Sequence, residues 1–235
     1  MTIQIAVINE STVITNAEVQ AMIPAFVQQW NNSLVPVWGV EPANFSFVLK
    51  GAIPALGAWW LVFLDNSDQA GALAYHDLTS AGLPISKVFV KTLLADKASI
   101  SVGASHELVE MGVDPWLNSA YQDTHGIFWA GEVADPCESD SYGSSINGVL
   151  VTDFVTPNWF GHQYAKAPFD INNHLASAFQ VLPGGYAQHF GRRGWVVTYG
   201  ARITSEHGLN PAIGSRRERR ARGWQNWKLS AARRP

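Results

Sequence analysis

The chain has one cysteine, Cys137, so no internal disulfide can form and no cysteine-rich zinc finger can be built. Charged residues are also scarce, at 15% against 47% apolar, a balance that excludes a disordered chain. The longest strongly apolar run, residues 55–64, is about half of a membrane span. The opening Met1-Thr-Ile-Gln-Ile-Ala-Val7 lacks the basic and long apolar segments of a signal peptide. These absences lead us to expect a soluble protein synthesised in the cytoplasm, with release by lysis or another signal-free route still open. What the chain does have is size and aromatic bulk. Its 235 residues fit one medium domain or two packed lobes, and ten Trp suit a thick core or a broad aromatic cleft.

The formal charge of −3 hides an asymmetry. Residues 214–235 hold eight of the sixteen Lys and Arg and a single acid, for a local charge of +7, and the remainder carries −10. A basic tail beside an acidic body points to a contact with something anionic, whether nucleic acid, a membrane surface or the body itself. Trp224 and Trp227, set among the arginines, add to the docking reading.

Alternation predicts a strand over 3–8, and Thr15-Asn-Ala-Glu18 is a capping-box signature for a helix that follows. Val19, Met22, Ile23, Phe26, Val27 and Trp30 form its apolar face, and Pro24 is expected to interrupt and kink it. Further strands are expected over 45–49, 59–64, 70–76 and 87–91, with 78–86 connecting the last two. A helix is expected over 102–112, ended by Gly112 and Asp114-Pro115. Loop signals then dominate to residue 148, followed by a strand at 149–155, a short helix at 172–181 and a last strand at 195–199.

The central helix carries His106-Glu107-Leu108-Val109-Glu110. Positions i and i+4 lie one turn apart on one face, so His106 and Glu110 converge as a two-ligand metal clamp, with Glu107 beside it. About 0.01 matches to this pattern are expected by chance in a chain of this composition, so it is informative. The zinc-protease helix His-Glu-x-x-His uses its Glu as a base; here Glu110 replaces the second His. Twenty-two residues past Glu110 comes Gly131-Glu132-Val133-Ala134-Asp135. Glu132 is read as the third ligand and Asp135 as a carboxylate that orients a ligand, or the two exchange roles. Asp114, at the turn beneath the helix, is a further outer carboxylate or alternative ligand.

Zinc held by two carboxylates and one imidazole has its charge formally cancelled, so its water is acidified less than in a His-His-Glu site. Glu107 must then be the stronger local base, and a neutral to mildly alkaline optimum is expected. His76, Tyr121, His125 and Tyr142 are candidate donors to a substrate oxyanion. His162, His174, His189 and His207 have no partner spacing and are read as ordinary residues. Cys137 is read as a small apolar residue, although a thiolate would suit zinc. The ligand set would also accept other divalent ions.

Ala74-Tyr75-His76-Asp77, Lys87-Val88-Phe89-Val90, Ser105-His106-Glu107-Leu108-Val109-Glu110, Asp114-Pro115, Gly131-Glu132-Val133-Ala134-Asp135 and Pro183-Gly184-Gly185-Tyr186 occur in this order. Over roughly residues 70–190 the chain resembles a group of bacterial and phage zincin-like proteins with a Ser-His-Glu-x-x-Glu helix, to which plant exordium-type proteins are related. The resemblance implies an α+β fold with a mixed twisted sheet, a backing helix and an active-site helix, its cleft below an antiparallel edge strand. The resemblance makes residues 1–112 a zincin-like lobe, while the loop signals give an irregular C-terminal lobe at 113–213 and the charge asymmetry gives the basic tail at 214–235. It also implies a metallopeptidase with one zinc ion, acting on a peptide or protein and released or phage-associated. The metzincin ligand position, ten residues after the first His, is Trp116, so a gluzincin-like plan fits better. The rival expectation is an inactive zincin-fold module that docks on a virion or other partner; the presence of Glu107 argues for the enzyme. Nucleic-acid binding through 216–234 is a further rival, opposed by the acidic body.

Overall fold

Ile5 and Val7 of the first strand point to one side of a sheet and Ala6 and Ile8 to the other, and both pairs are buried. A strand apolar on both faces belongs in the middle of a sheet. The computed structural model, described here for residues 2–68, 72–161, 165–191 and 194–200, places it there. The five strands of this sheet are β1 (Ile3–Asn9), β2 (Ala43–Val48), β3 (Trp59–Leu64), β4 (Ala74–Leu78) and β5 (Pro84–Phe89), in the spatial order β2-β1-β3-β5-β4. All neighbours are parallel except β4, which runs antiparallel to β5 at the edge. The fold is thus mixed α+β around a mixed sheet.

The helices are α1 (Asn16–Gln29), α2 (Val35–Trp38), α3 (Val90–Ala95) and α4 (Ile100–Val113). The capping box forms as expected. Thr15 Oγ1 accepts from the Glu18 amide at 3.2 Å, and the Glu18 carboxylate accepts from the Thr15 amide at 2.8 Å. Helix α1 continues through Pro24 instead of being interrupted. One lost donor is outweighed by the burial of Val19, Ala25 and Phe26, and the widened π turn comes only at Trp30–Leu34. Helix α4 packs on β4 and β5 and is buried almost all round from Ser101 to Gly112. A Cβ on Gly112 would stand 2.6 Å from Leu34 Cδ2 and 2.9 Å from the Trp30 ring, so glycine is what lets α4 approach the π turn.

The strand bounds differ from expectation in the β4–β5 hairpin. Residues 70 and 71 of the expected strand 70–76 lie outside the described residues, and β4 begins at Ala74 and runs on to Leu78. Strand β5 starts at Pro84 rather than at 87 and stops at Phe89, so the connection shrinks to 79–83. Proline is tolerated at the first position of a strand, and Pro84 pairs with Leu78.

The region past residue 113 is more ordered than its loop signals suggested. Strands β6 (Ala120–Gln122), β7 (Phe128–Ala130), β10 (Tyr186–Gly191) and β11 (Gly194–Tyr199) make an antiparallel sheet in the order β11-β10-β7-β6. Strands β8 (Ser144–Ile146) and β9 (Val149–Val151) form a hairpin, shorter than the expected 149–155. The helix expected over 172–181 is absent. The Asp170 carboxylate takes the amides of His174 at 2.7 Å and Leu175 at 3.0 Å, and Asn173 and Phe179 adopt φ near +60°, which no α-helix accommodates.

One hydrophobic core joins the two parts, from Ile5, Phe26 and Leu108 to Val133, Phe154 and Trp159. Several indoles fill it: Trp30 and Trp159 are fully buried, and Trp129 stacks on Phe179. No helix among the described residues is long and apolar enough to cross a membrane. The basic tail, with Trp224 and Trp227, lies outside the described residues, as do His162 and His207.

Candidate metal centre

The helical repeat of α4 brings His106 Nε2 to 3.4 Å from Glu110 Oε1. A single-turn 3₁₀ helix, Asp135–Cys137, brings Asp135 Oδ1 to 3.3 Å from the same nitrogen. This turn is fixed from two sides. The Ala134 amide donates to Glu110 Oε1 at 3.2 Å, and the chain entering β10 passes so close that a Cβ on Gly185 would stand 2.7 Å from the carbonyl oxygens of Asp135 and Pro136.

Charge-assisted N–H···O bonds are about 2.7–2.9 Å long, shorter than either contact. A tetrahedral ion with bonds of about 2.0–2.1 Å instead separates its ligand atoms by about 3.3–3.4 Å. The donor set, an imidazole and two carboxylates, also suits a divalent ion. Burial alone pulls the His106 imidazole down, but the carboxylates of Glu110 and Asp135 outweigh it and hold the ring well above the usual histidine value. The His106 side chain keeps 11% of its surface exposed, so the group meets solvent there.

A second group shares Glu110. His76 on β4, Glu110 and Glu132 place one ligand atom each within 4.8 Å of one another, and all three are buried. The two downstream acids therefore divide. Asp135 stands with His106 and Glu110, and Glu132 stands with His76.

His76, expected as a donor to substrate, is 0% exposed. Its Nδ1 lies 3.3 Å from Glu107 Oε2 and 3.7 Å from Glu110 Oε2. Its Nε2 lies 3.2 Å from the Asp114 carbonyl oxygen. A carbonyl only accepts, so Nε2 carries a proton, and Nδ1 faces the two acids. Glu107 is buried on the same side, its carbonyl accepting from the Ser86 hydroxyl at 3.2 Å.

The other expected residues lie elsewhere. Asp114 closes the end of α4 by accepting the amides of Asn118 and Ser119 at its Oδ1. Tyr121 stacks against Phe160 and Trp38, and burial followed by Asp114 pushes its phenol up. His125 is exposed in the β6–β7 hairpin turn, where its amide donates to Asp123. The Tyr142 hydroxyl donates to the Pro183 carbonyl at 3.0 Å.

Sequence reasoning passed over two neighbours of the centre. Burial pushes the Glu138 carboxyl up to about 7; His106 pulls it down, while Asp135 and Glu110 add to the rise. Tyr186 is held well above the usual phenol value by burial and then by Asp135, Glu138, Glu110 and Glu132. Glu138, three residues past Asp135, and the tyrosine after Gly184-Gly185 were the available signals. Comparison with protein-family models, with curated proteins and with solved structures gave no match.

Proposed function

We propose that this protein is a divalent-metal-dependent hydrolase of the peptidase type, with His106 Nε2, Glu110 Oε1 and Asp135 Oδ1 holding a zinc ion and Glu107 acting as the base. The observation that carries the reading is the convergence of three buried ligand atoms, with Glu110 Oε1 and Asp135 Oδ1 at 3.4 and 3.3 Å from His106 Nε2, separations that a tetrahedral ion also produces. Support for the zincin-like plan comes from the antiparallel edge strand β4 lying against the helix that carries the ligands. The peptide substrate rests on the resemblance of that helix to zincin-type sequences.

A bound ion would supply Lewis acidity to a carbonyl oxygen and make water more acidic. The chain's own part is proton handling. The Glu107 carboxylate accepts the proton of the attacking water and returns it to the leaving amine. His76, anchored on the Asp114 carbonyl, orients Glu107 through Oε2. Elemental analysis of the purified chain beside Glu110→Ala tests the ligand set, and the expected result is loss of one equivalent of ion in the variant. Glu107→Gln should keep that ion and lose turnover on peptide libraries. Unchanged metal content in Glu110→Ala would remove the basis for the proposal.

A further inference from the structure

A second constellation of donors lies on the other side of the 3₁₀ turn that supplies Asp135. We propose that Cys137, Asp153, Asp170 and His174 form a second divalent-metal site, a structural clip for a thiolate-accepting ion such as zinc. Sulfur of Cys137 and one oxygen each of Asp153 and Asp170 lie within 4.8 Å of one another, and all three residues are buried. The His174 Nδ1 atom lies 3.0 Å from Asp153 Oδ2 and 3.5 Å from Asp170 Oδ2. The first is a hydrogen bond, and a modest opening to about 3.3 Å would admit a tetrahedral ion between nitrogen and oxygen.

The carboxylates are held in place as ligands usually are, by outer hydrogen bonds. Asp153 Oδ1 accepts the amides of Phe154 at 2.8 Å and Asn172 at 3.2 Å. Asp170 accepts the amides of His174 and Leu175. The Cys137 thiol is an independent sign. It is 0% exposed, lies beside the two carboxylates and makes no hydrogen bond among the described residues.

One thiolate, one imidazole and two carboxylates make a complete tetrahedron, the pattern of a closed structural site. The soft sulfur selects zinc over magnesium or calcium. The thiol loses its proton to solvent on binding. His174, with 36% of its side chain exposed, is the ligand on the solvent side and gives the ion a way in. Occupancy ties residue 137 to residues 153, 170 and 174, adding to the bridge between Val155 and Asp170 and to the core that these segments share.

The test uses Co²⁺ on the full-length chain after stripping with a chelator. A thiolate–cobalt charge-transfer band can come only from Cys137, the single cysteine, so it reports this site and not the one at His106. We expect a saturable band that zinc displaces, absent in Cys137→Ser and retained in His106→Ala. His174→Ala and Asp153→Asn should weaken cobalt binding about tenfold or more, as loss of a ligand or its partner does. The wild-type spectrum stands alone should a variant fail to fold. The site is refuted if folded wild-type protein gives no thiolate band in excess Co²⁺, which would leave a proton-sharing Asp153–Asp170–His174 network beside a packing cysteine. A band of undiminished affinity in both His174→Ala and Asp153→Asn would equally overturn it. Metal loss in Glu110→Ala bears only on the His106 centre, so the two proposals fail separately.

Discussion

His76 Nδ1 lies 3.3 Å from Glu107 Oε2 while the opposite edge of the same ring is bound to the Asp114 carbonyl, so one imidazole couples the end of α4 to the carboxylate in its middle. Both groups are buried, so the ring fixes where the Glu107 carboxylate stands.

Removing that ring should therefore leave the metal in place and impair the base. For His76→Ala we expect turnover to fall about 10–100-fold, the range seen when a partner that orients a reacting group is lost. The loss should fall on kcat with KM little changed, because the ring orients Glu107 and does not touch substrate. Turnover and metal content measured on the same preparation check this, and an unchanged kcat would count against the coupling.

Gly185 fixes the Asp135 turn by proximity. Alanine there would set a methyl 2.7 Å from two carbonyl oxygens and force the turn away from His106. We expect Gly185→Ala to bind zinc about tenfold or more weakly, since misplacing a ligand costs affinity on that scale. Competition with a chromophoric chelator measures it.

Gly112 makes a purely structural contact. The added methyl of Gly112→Ala meets Leu34 and the Trp30 ring inside the main core, and such overpacking destabilises by about 1–3 kcal/mol. Urea unfolding should report a lower midpoint with an unchanged slope.

Asp65 sets an acid limit on stability. Its carboxylate accepts the Ser11 hydroxyl at 2.6 Å and the amide and hydroxyl of Thr12, both at 2.7 Å, with Lys91 alongside, and these bonds hold its pKa well below the usual aspartate range. A lowered folded-state value means that the stabilisation is present above the unfolded pKa of about 4 and is lost as pH falls below it. The stability gap between wild type and Asp65→Asn should thus be widest above pH ~5 and narrow below pH ~4. Thermal melts across that range check the sign.

The parts of the centre that depend on local geometry were legible in the chain. His106 and Glu110 share a helix turn, and the four-residue spacing alone predicts that they meet. The choice between Glu132 and Asp135 was not legible, because it depends on how the 3₁₀ turn is folded back by Gly185, some fifty residues later. His174 looked ordinary because its partner, Asp153, precedes it by twenty-one residues with no helical register between them. The sequence over 172–181 suggested a short helix, but it carries no record of Asp170 claiming the amides of residues 174 and 175. The existence of the front strands was easier to read than their bounds: Pro84 marked a connection in the sequence, yet it opens β5, a position where a strand tolerates proline.

Asp135 and Cys137 stand on either side of Pro136, whose ring locks its own torsion, so very little slack separates them. A shift of the carboxylate toward His106 must be passed to the sulfur two positions on, and a strain on the sulfur must return the same way. A substitution that changes the size of the buried side chain at residue 137 would then register as altered ion retention at His106, although no side chain of that centre had been touched.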